Sequence, residues 1–238
     1  MKTISRIRCL CLSVVLACFS LPAFGEALHY LNDEIITTSE FKTALGKPPA
    51  DTEKDKIKAD EDAVKKVQLE TPAESPERKH AEAEERLTVT TFNGVLGPWA
   101  KFENFPATSN ILQQAFDDTW TLTHKIKDIH PRWRPDHSKK NSYPSAHSAE
   151  AEVLAEILIM FDQTHKSEIE KRAEAIRTHR MILNKHYPSD LQAGRRIGDY
   201  VVQQMTNNPA FKKDFTNALQ ELRPHLDGAR VTRSSTVR

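Results

Sequence analysis

Beyond residue 25 the chain has no cysteine: Cys9, Cys11 and Cys18 all fall in its opening segment. A chain processed there holds no disulfide and no thiolate, which excludes cysteine nucleophiles and cysteine-ligated zinc. No long apolar run follows that segment, so no membrane-spanning helix is expected after it. An excess of either charge is also missing. The opening segment carries Lys2, Arg6 and Arg8 and no acid, so its removal takes the formal charge from +1 to −2, a balance that argues against a general nucleic-acid binder. Sustained strand alternation is lacking too, apart from a few residues near Thr88 to Phe92.

The opening segment has the features of a secretory signal: a basic start, an apolar stretch from Leu10 to Phe19, and Ala23-Phe24-Gly25 as a small-x-small cleavage site before Glu26. A periplasmic or secreted protein is expected. The alternative is a lipid anchor through Cys18, because Val15-Leu16-Ala17-Cys18 resembles a lipoprotein processing site. Residues 26–90 are highly charged and poor in aromatics. Their two helical stretches, Asp51 to Glu70 and Ser75 to Leu87, are divided at Pro72 and Pro76, and Ile57, Val64 and Val67 give the first a face that can dock on a core.

Residues 91–225 carry a longer helical pattern. Ile111, Ala115, Leu122 and Ile126 predict a helix from Ser109 to His130 capped by Ser109 or Asn110. Pro144 and Ser145 open a densely apolar helix through Val153, Leu154, Ile157, Leu158 and Phe161. A third helix, about Lys166 to Leu183, places Arg180 on its apolar stripe, where a cation needs an anionic partner. Further helices start near Pro188 and Pro209, and residues 226–238 are expected to be a disordered tail. The predicted class is all-α, a single-domain bundle.

Three clusters carry chemistry, and their joint occurrence is the signal. Lys127 precedes Arg134-Pro135; Pro144-Ser145-Ala146-His147 follows; then come Arg180, His186 and Asp190. Lys127, Arg134 and Arg180 can converge on one dianion, with guanidinium forks matched to tetrahedral oxygens. Ser145 adds a hydroxyl, and the free amides of Ala146 and His147 at a helix start favour the same anion. Asp190, four residues after His186, can accept that ring's Nδ1 proton and leave Nε2 to attack phosphorus. His147 then supplies the leaving oxygen's proton, so the two rings need opposite protonation states and the rate should follow a bell-shaped profile on the acid side of neutral. No metal or other cofactor is required for this chemistry. His124, His130 and His137 lack ligand spacing on one helical face, and no metal site is assigned to them.

These clusters resemble the phosphatase signature of the type 2 phosphatidic acid phosphatase and vanadium haloperoxidase superfamily, and specifically the secreted bacterial class A nonspecific acid phosphatases. The resemblance extends through Asn141 to Ser145, Val153 to Ile157, Glu168 to Arg172 and Asn208 to Phe211, covering residues 120–222 well and the earlier chain loosely. It implies an all-helical fold, a phosphohistidine at His186, acid catalysis by His147, and phosphate binding by Lys127, Arg134, Ser145 and Arg180. It also implies a periplasmic address, small phosphorylated substrates, and frequent homo-oligomers. Three departures stand out: Ala146 replaces the family's glycine, His179 its serine before the arginine, and the link between Pro135 and Pro144 is short. Alternatives of other classes are a phosphotransferase or a lipid or pyrophosphate phosphatase of narrow specificity, a vanadate-dependent haloperoxidase, and a phosphate-binding module without turnover.

Overall fold

Proline and short polar side chains set most helix starts in this chain. A computed structural model describes residues 28–235, and among these it contains eight α-helices, several 3-10 turns and no strand. The expected signal and Cys18 lie outside the described residues. Helices α1 (Ser39–Leu45), α2 (Lys54–Glu70) and α3 (Pro76–Ala83) form the N-terminal part; α4 (Pro106–Ile126), α5 (Ala146–Phe161), α6 (Lys166–Ile182), α7 (Pro188–Met205) and α8 (Pro209–Ser235) follow. Helix α8 thus runs into the segment expected to be a tail. Thr38, Ser75 and Ser145 each accept an amide of the helix they open.

Two local expectations are corrected. The residues near Thr88 to Phe92 form a 3-10 turn, Val89–Phe92, because Val89 and Phe92 are both buried, and a three-residue period puts them on one side. Helix α4 begins at Pro106 rather than near Ser109. Its first amides, those of Ala107 and Thr108, donate to Glu221 on α8 at 3.1 and 2.8 Å, so the cap comes from the far end of the chain.

The densely apolar α5 is the centre of the bundle and packs against α4, α6 and α7, while α8 lies against α4. Helices α5 and α7 touch at glycine. A Cβ on Gly198 would stand 2.5 Å from Glu152 Cβ, so backbone approaches backbone where only hydrogen fits. The buried stripe of α7 is Gly194, Ile197, Val201 and Met205, as its spacing predicts.

The charged N-terminal part also joins the core. Asp118 of α4 accepts the amides of His29 and Tyr30, both at 2.7 Å. Val64 of α2 is buried, with Ile57 and Val67 half-buried beside it. Gln68 of α2 donates to the Met181 and Ile182 carbonyls at 2.5 and 2.7 Å, satisfying the end of α6.

Candidate active site

Three helix ends and one loop meet at a cavity of about 330 Å³, lined among others by Lys127, Arg134, Ala146, His147, Arg180 and His186. Six of the eight residues singled out from the sequence therefore share one wall. The other two stand directly behind it: Ser145 is the buried cap of α5, and Asp190 is buried in the first turn of α7. Ser145 Oγ accepts the Ser148 amide at 3.3 Å.

The loop between α4 and α5 places the first two cations. Lys127, just past α4, donates to the carbonyls of Asn141 and Pro144 at 3.0 and 2.8 Å. Burial, with Arg134 nearby, lowers its pKa to about 8. Arg134 Nε donates to Asn141 Oδ1 at 3.0 Å, and its own amide closes the loop on the Lys139 carbonyl. Arg180 on α6 differs: it is buried, and its Nε and Nη1 have no hydrogen-bond partner. Burial, reinforced by Arg134, lowers its pKa to about 10. A buried guanidinium with unsatisfied donors at a cavity wall is arranged to receive an anion.

The two histidines sit in unlike surroundings. His147 Nε2 lies 3.0 Å from the Glu85 carbonyl; a carbonyl only accepts, so this nitrogen holds the proton of the neutral ring. His147 Nδ1 lies 3.9 Å from Glu150 Oε2. Burial first, then Arg180, pushes the His147 pKa down to about 3, and burial pushes His186 to about 4. Both values lie well below neutrality, so the surroundings favour the neutral ring at each position. A dianion bound there raises both values, since it favours the charged ring.

Asp190 does not bond directly to His186. The Nδ1 to Oδ2 distance is 3.8 Å, and Ser142 stands beside both, donating to that oxygen at 2.6 Å with its Oγ 3.5 Å from Nδ1. The Tyr187 amide also donates to Asp190 Oδ2, at 2.8 Å, and Arg132 holds Oδ1 at 2.7 Å. Burial pushes the Asp190 carboxyl up, but His186, Arg132 and Ser142 outweigh it and hold the group below its usual range. With Nδ1 turned toward this group, Nε2 is the nitrogen left for the cavity.

Glu150, Arg132 and Ser142 were not among the residues picked from sequence. Glu150 lines the cavity, is buried, and has an Oε1 without a hydrogen-bond partner. Burial raises its pKa to about 8 against the pull of Lys127 and Arg180. A glutamate three residues after His147 in an apolar helix was the available signal. Arg132 had none, lying two residues before a stronger candidate. His179 turns to Glu84, 2.7 Å from Nδ1 to Oε2, and not to the cavity lining. Among the described residues, His124, His130 and His137 do not gather into a ligand set. His124 stacks on Trp120 and His130 meets Tyr143 edge-on.

No family model matches the chain. It is 28% identical over 168 residues to a non-specific acid phosphatase of Salmonella typhi, covering 62% of this chain and 67% of that protein. The corresponding Salmonella typhimurium protein is 27% identical over the same shares. One from Providencia stuartii is 32% identical over 84 residues, about a third of each chain. Over this stretch the chain is similar to the non-specific acid phosphatases. Its all-helical, single-domain fold is the one the sequence resemblance implied. Below about pH 8 Glu150 is held neutral by burial, so Lys127, Arg134 and Arg180 leave the cavity lining cationic. Among the described residues, no helix is long and apolar enough to cross a membrane.

Proposed function

We propose that the protein is a secreted acid phosphatase that hydrolyses phosphate monoesters through a phosphohistidine at His186, without a metal ion. The observation that carries the proposal is the cavity itself, in which two neutral imidazoles face three cations, one of them, Arg180, with two unsatisfied buried donors. The named relatives support the hydrolase class.

The dianionic phosphoryl group sits among Lys127, Arg134 and Arg180, with the α5 amides of Ala146 and His147 at its oxygens and the Ser145 hydroxyl behind them. These cations supply the charge neutralisation for which other phosphatases use metals. His186 Nε2 attacks phosphorus as the P–O ester bond breaks. His147, whose pKa rises once the dianion is bound, gives its proton to the departing oxygen, which leaves as an alcohol. Water then attacks the phosphohistidine, His147 takes a proton from that water, the P–N bond breaks, and inorganic phosphate leaves with neutral His186 restored. Asp190, through Ser142 and its own negative field, orients His186 and stabilises the ring as it becomes cationic.

The test is phosphate release from an aryl phosphate in excess chelator, across pH, beside His186→Ala. Turnover that resists chelator, peaks below neutrality and is abolished by the substitution is expected. Turnover that collapses with chelator and returns with added metal overturns the metal-free reading. Phosphate binding without turnover at any pH overturns the enzyme reading.

A further inference from the structure

The Asp190 carboxylate belongs to a buried network that leaves the catalytic motifs and ends in the charged N-terminal part. Arg132 Nη1 donates to Asp190 Oδ1 at 2.7 Å and to Ser189 Oγ at 2.6 Å, while its Nη2 reaches Asp60 Oδ2 on α2 at 2.8 Å. Asp60 also accepts from Ser189, through the amide at 3.1 Å and the hydroxyl at 2.5 Å. The guanidinium carbon lies 4.2 Å over the Tyr187 ring, and Tyr187 follows His186 in the chain. Asp60 and Asp190 are 6% and 0% exposed, so neither charge is left to solvent.

Each Asp190 oxygen is thereby committed. Oδ1 takes Arg132, and Oδ2 takes Ser142 and the Tyr187 amide. The carboxylate cannot rotate toward or away from His186 without breaking a charge-assisted bond. Arg132 is fixed in turn, because Asp60 holds its Nη2 while Asp190 holds its Nη1, and the stacked Tyr187 ring fixes its plane.

We infer that Arg132 and Asp60 are positioning residues for His186: Arg132 sets the place and charge of Asp190, and Asp60 sets the place of Arg132. The inference rests on His186 being the nucleophile. It gives α2, a helix outside the motifs, a part in the reaction. The charged and titratable groups around His186 are Asp190 on α7, Lys127 and Arg134 on the loop after α4, His147 and Glu150 on α5, and Arg180 on α6, with Glu85 and Arg86 after α3 and His124 on α4 lining the same cavity. Arg132 acts on the ring by way of the first of these. Without it, Asp190 presents an uncompensated negative charge, which favours the protonated, non-nucleophilic ring.

The experiment compares Arg132→Gln, Arg132→Lys, Asp60→Asn and His186→Ala in the processed full chain, reading kcat and KM for an aryl phosphate across pH, with thermal melting alongside. Arg132→Gln is expected to lower kcat about 10- to 100-fold with little change in KM, and to move the acid limb of kcat/KM toward neutral pH. Arg132→Lys, which keeps the charge, is expected to restore the limb and part of the rate. Asp60→Asn is expected to lower kcat in the same direction by a smaller factor. Should Arg132→Gln not fold, Arg132→Lys and Asp60→Asn carry the test, and wild-type kcat in both overturns the inference. A lower melting temperature with an unmoved acid limb and wild-type kcat also overturns it, because that is what a purely structural network would give. If His186→Ala keeps its turnover, the nucleophile assignment fails first and this inference falls with it; if His186→Ala is dead while the other three are unaffected, only this inference falls.

Discussion

Gly194 of α7 lies against the backbone of Ser145, so close that a Cβ on the glycine would stand 2.3 Å from the Ser145 carbonyl oxygen. This approach sets the cap of α5 against the first turns of α7, and with it the distance between His147 on one helix and His186 just before the other. Gly194→Ala is expected to destabilise the protein by about 1–3 kcal/mol and to lower kcat/KM as well, since relief of the clash must move the Ser145 backbone or α7. Denaturant melts and steady-state kinetics on the same preparation check both; unchanged values in both would show that the helices can separate freely.

Arg180 predicts a trade of stability against activity. Its buried charge has two donors without partners, so Arg180→Met is expected to raise the stability of the empty protein by about 1 kcal/mol or more, roughly 2–4 °C in Tm for a chain of this size. The same variant should lose about 10- to 100-fold in kcat/KM, the range of a lost charged hydrogen bond. Inorganic phosphate at about 100 times its Kd should stabilise the wild type by about 2.7 kcal/mol and the variant far less at the same concentration.

Two groups titrate together at the alkaline side. Above about pH 8 Lys127 loses its positive charge and Glu150 gains a negative one, so the cavity becomes less cationic by two charges. The KM of a dianionic ester is therefore expected to rise about tenfold or more between pH 7 and 9. Glu150→Gln removes one of the two changes and should flatten that rise. A KM independent of pH in the wild type would contradict the assignment of Lys127 to phosphate binding.

The leaving group reports on His147. His147→Asn is expected to lower kcat by about 10² to 10⁴ with an alkyl phosphate, whose oxygen needs a proton, and much less with an aryl phosphate carrying a good leaving group. Equal losses on both esters would assign His147 to binding rather than to acid catalysis.

These expectations draw on features of different visibility in the sequence. The helical class was legible because α5 and α7 repeat apolar residues densely at helical spacing, and because Pro188 and Pro209 stand at their helix starts. Lys127, Arg134, His147, Arg180 and His186 were legible as a set because their order and spacing are unusual together; alone, all but Arg180, which its apolar stripe singles out, would pass as surface residues. The start of α4 was hidden because its cap is Glu221, more than a hundred residues away. Leu87 to Thr90 alternate like a strand, and only the burial of both Val89 and Phe92, three residues apart, decides for a turn. Ser142 standing beside both Asp190 and His186 was hidden for a similar reason: the spacing of the two partners is helical and local, whereas the serine arrives on a separate loop. Local patterns reach the sequence reader, and long-range polar partners do not.

The network joining Asp60, Arg132 and Asp190 also orders events during synthesis. The chain is made from its N-terminus, so α2, Lys127, Arg134 and His147 exist before α7 has been completed. Until then Asp60 and Arg132 have no Asp190 to hold, and the proposed nucleophile has not been placed. A chain cut short before residue 190 carries the cavity's cations but lacks the carboxylate that, in the proposed mechanism, orients His186, and it is expected not to turn a substrate over. Activity then begins only when the C-terminal helices have folded onto the N-terminal part, so that an unfinished copy of the proposed enzyme stays silent.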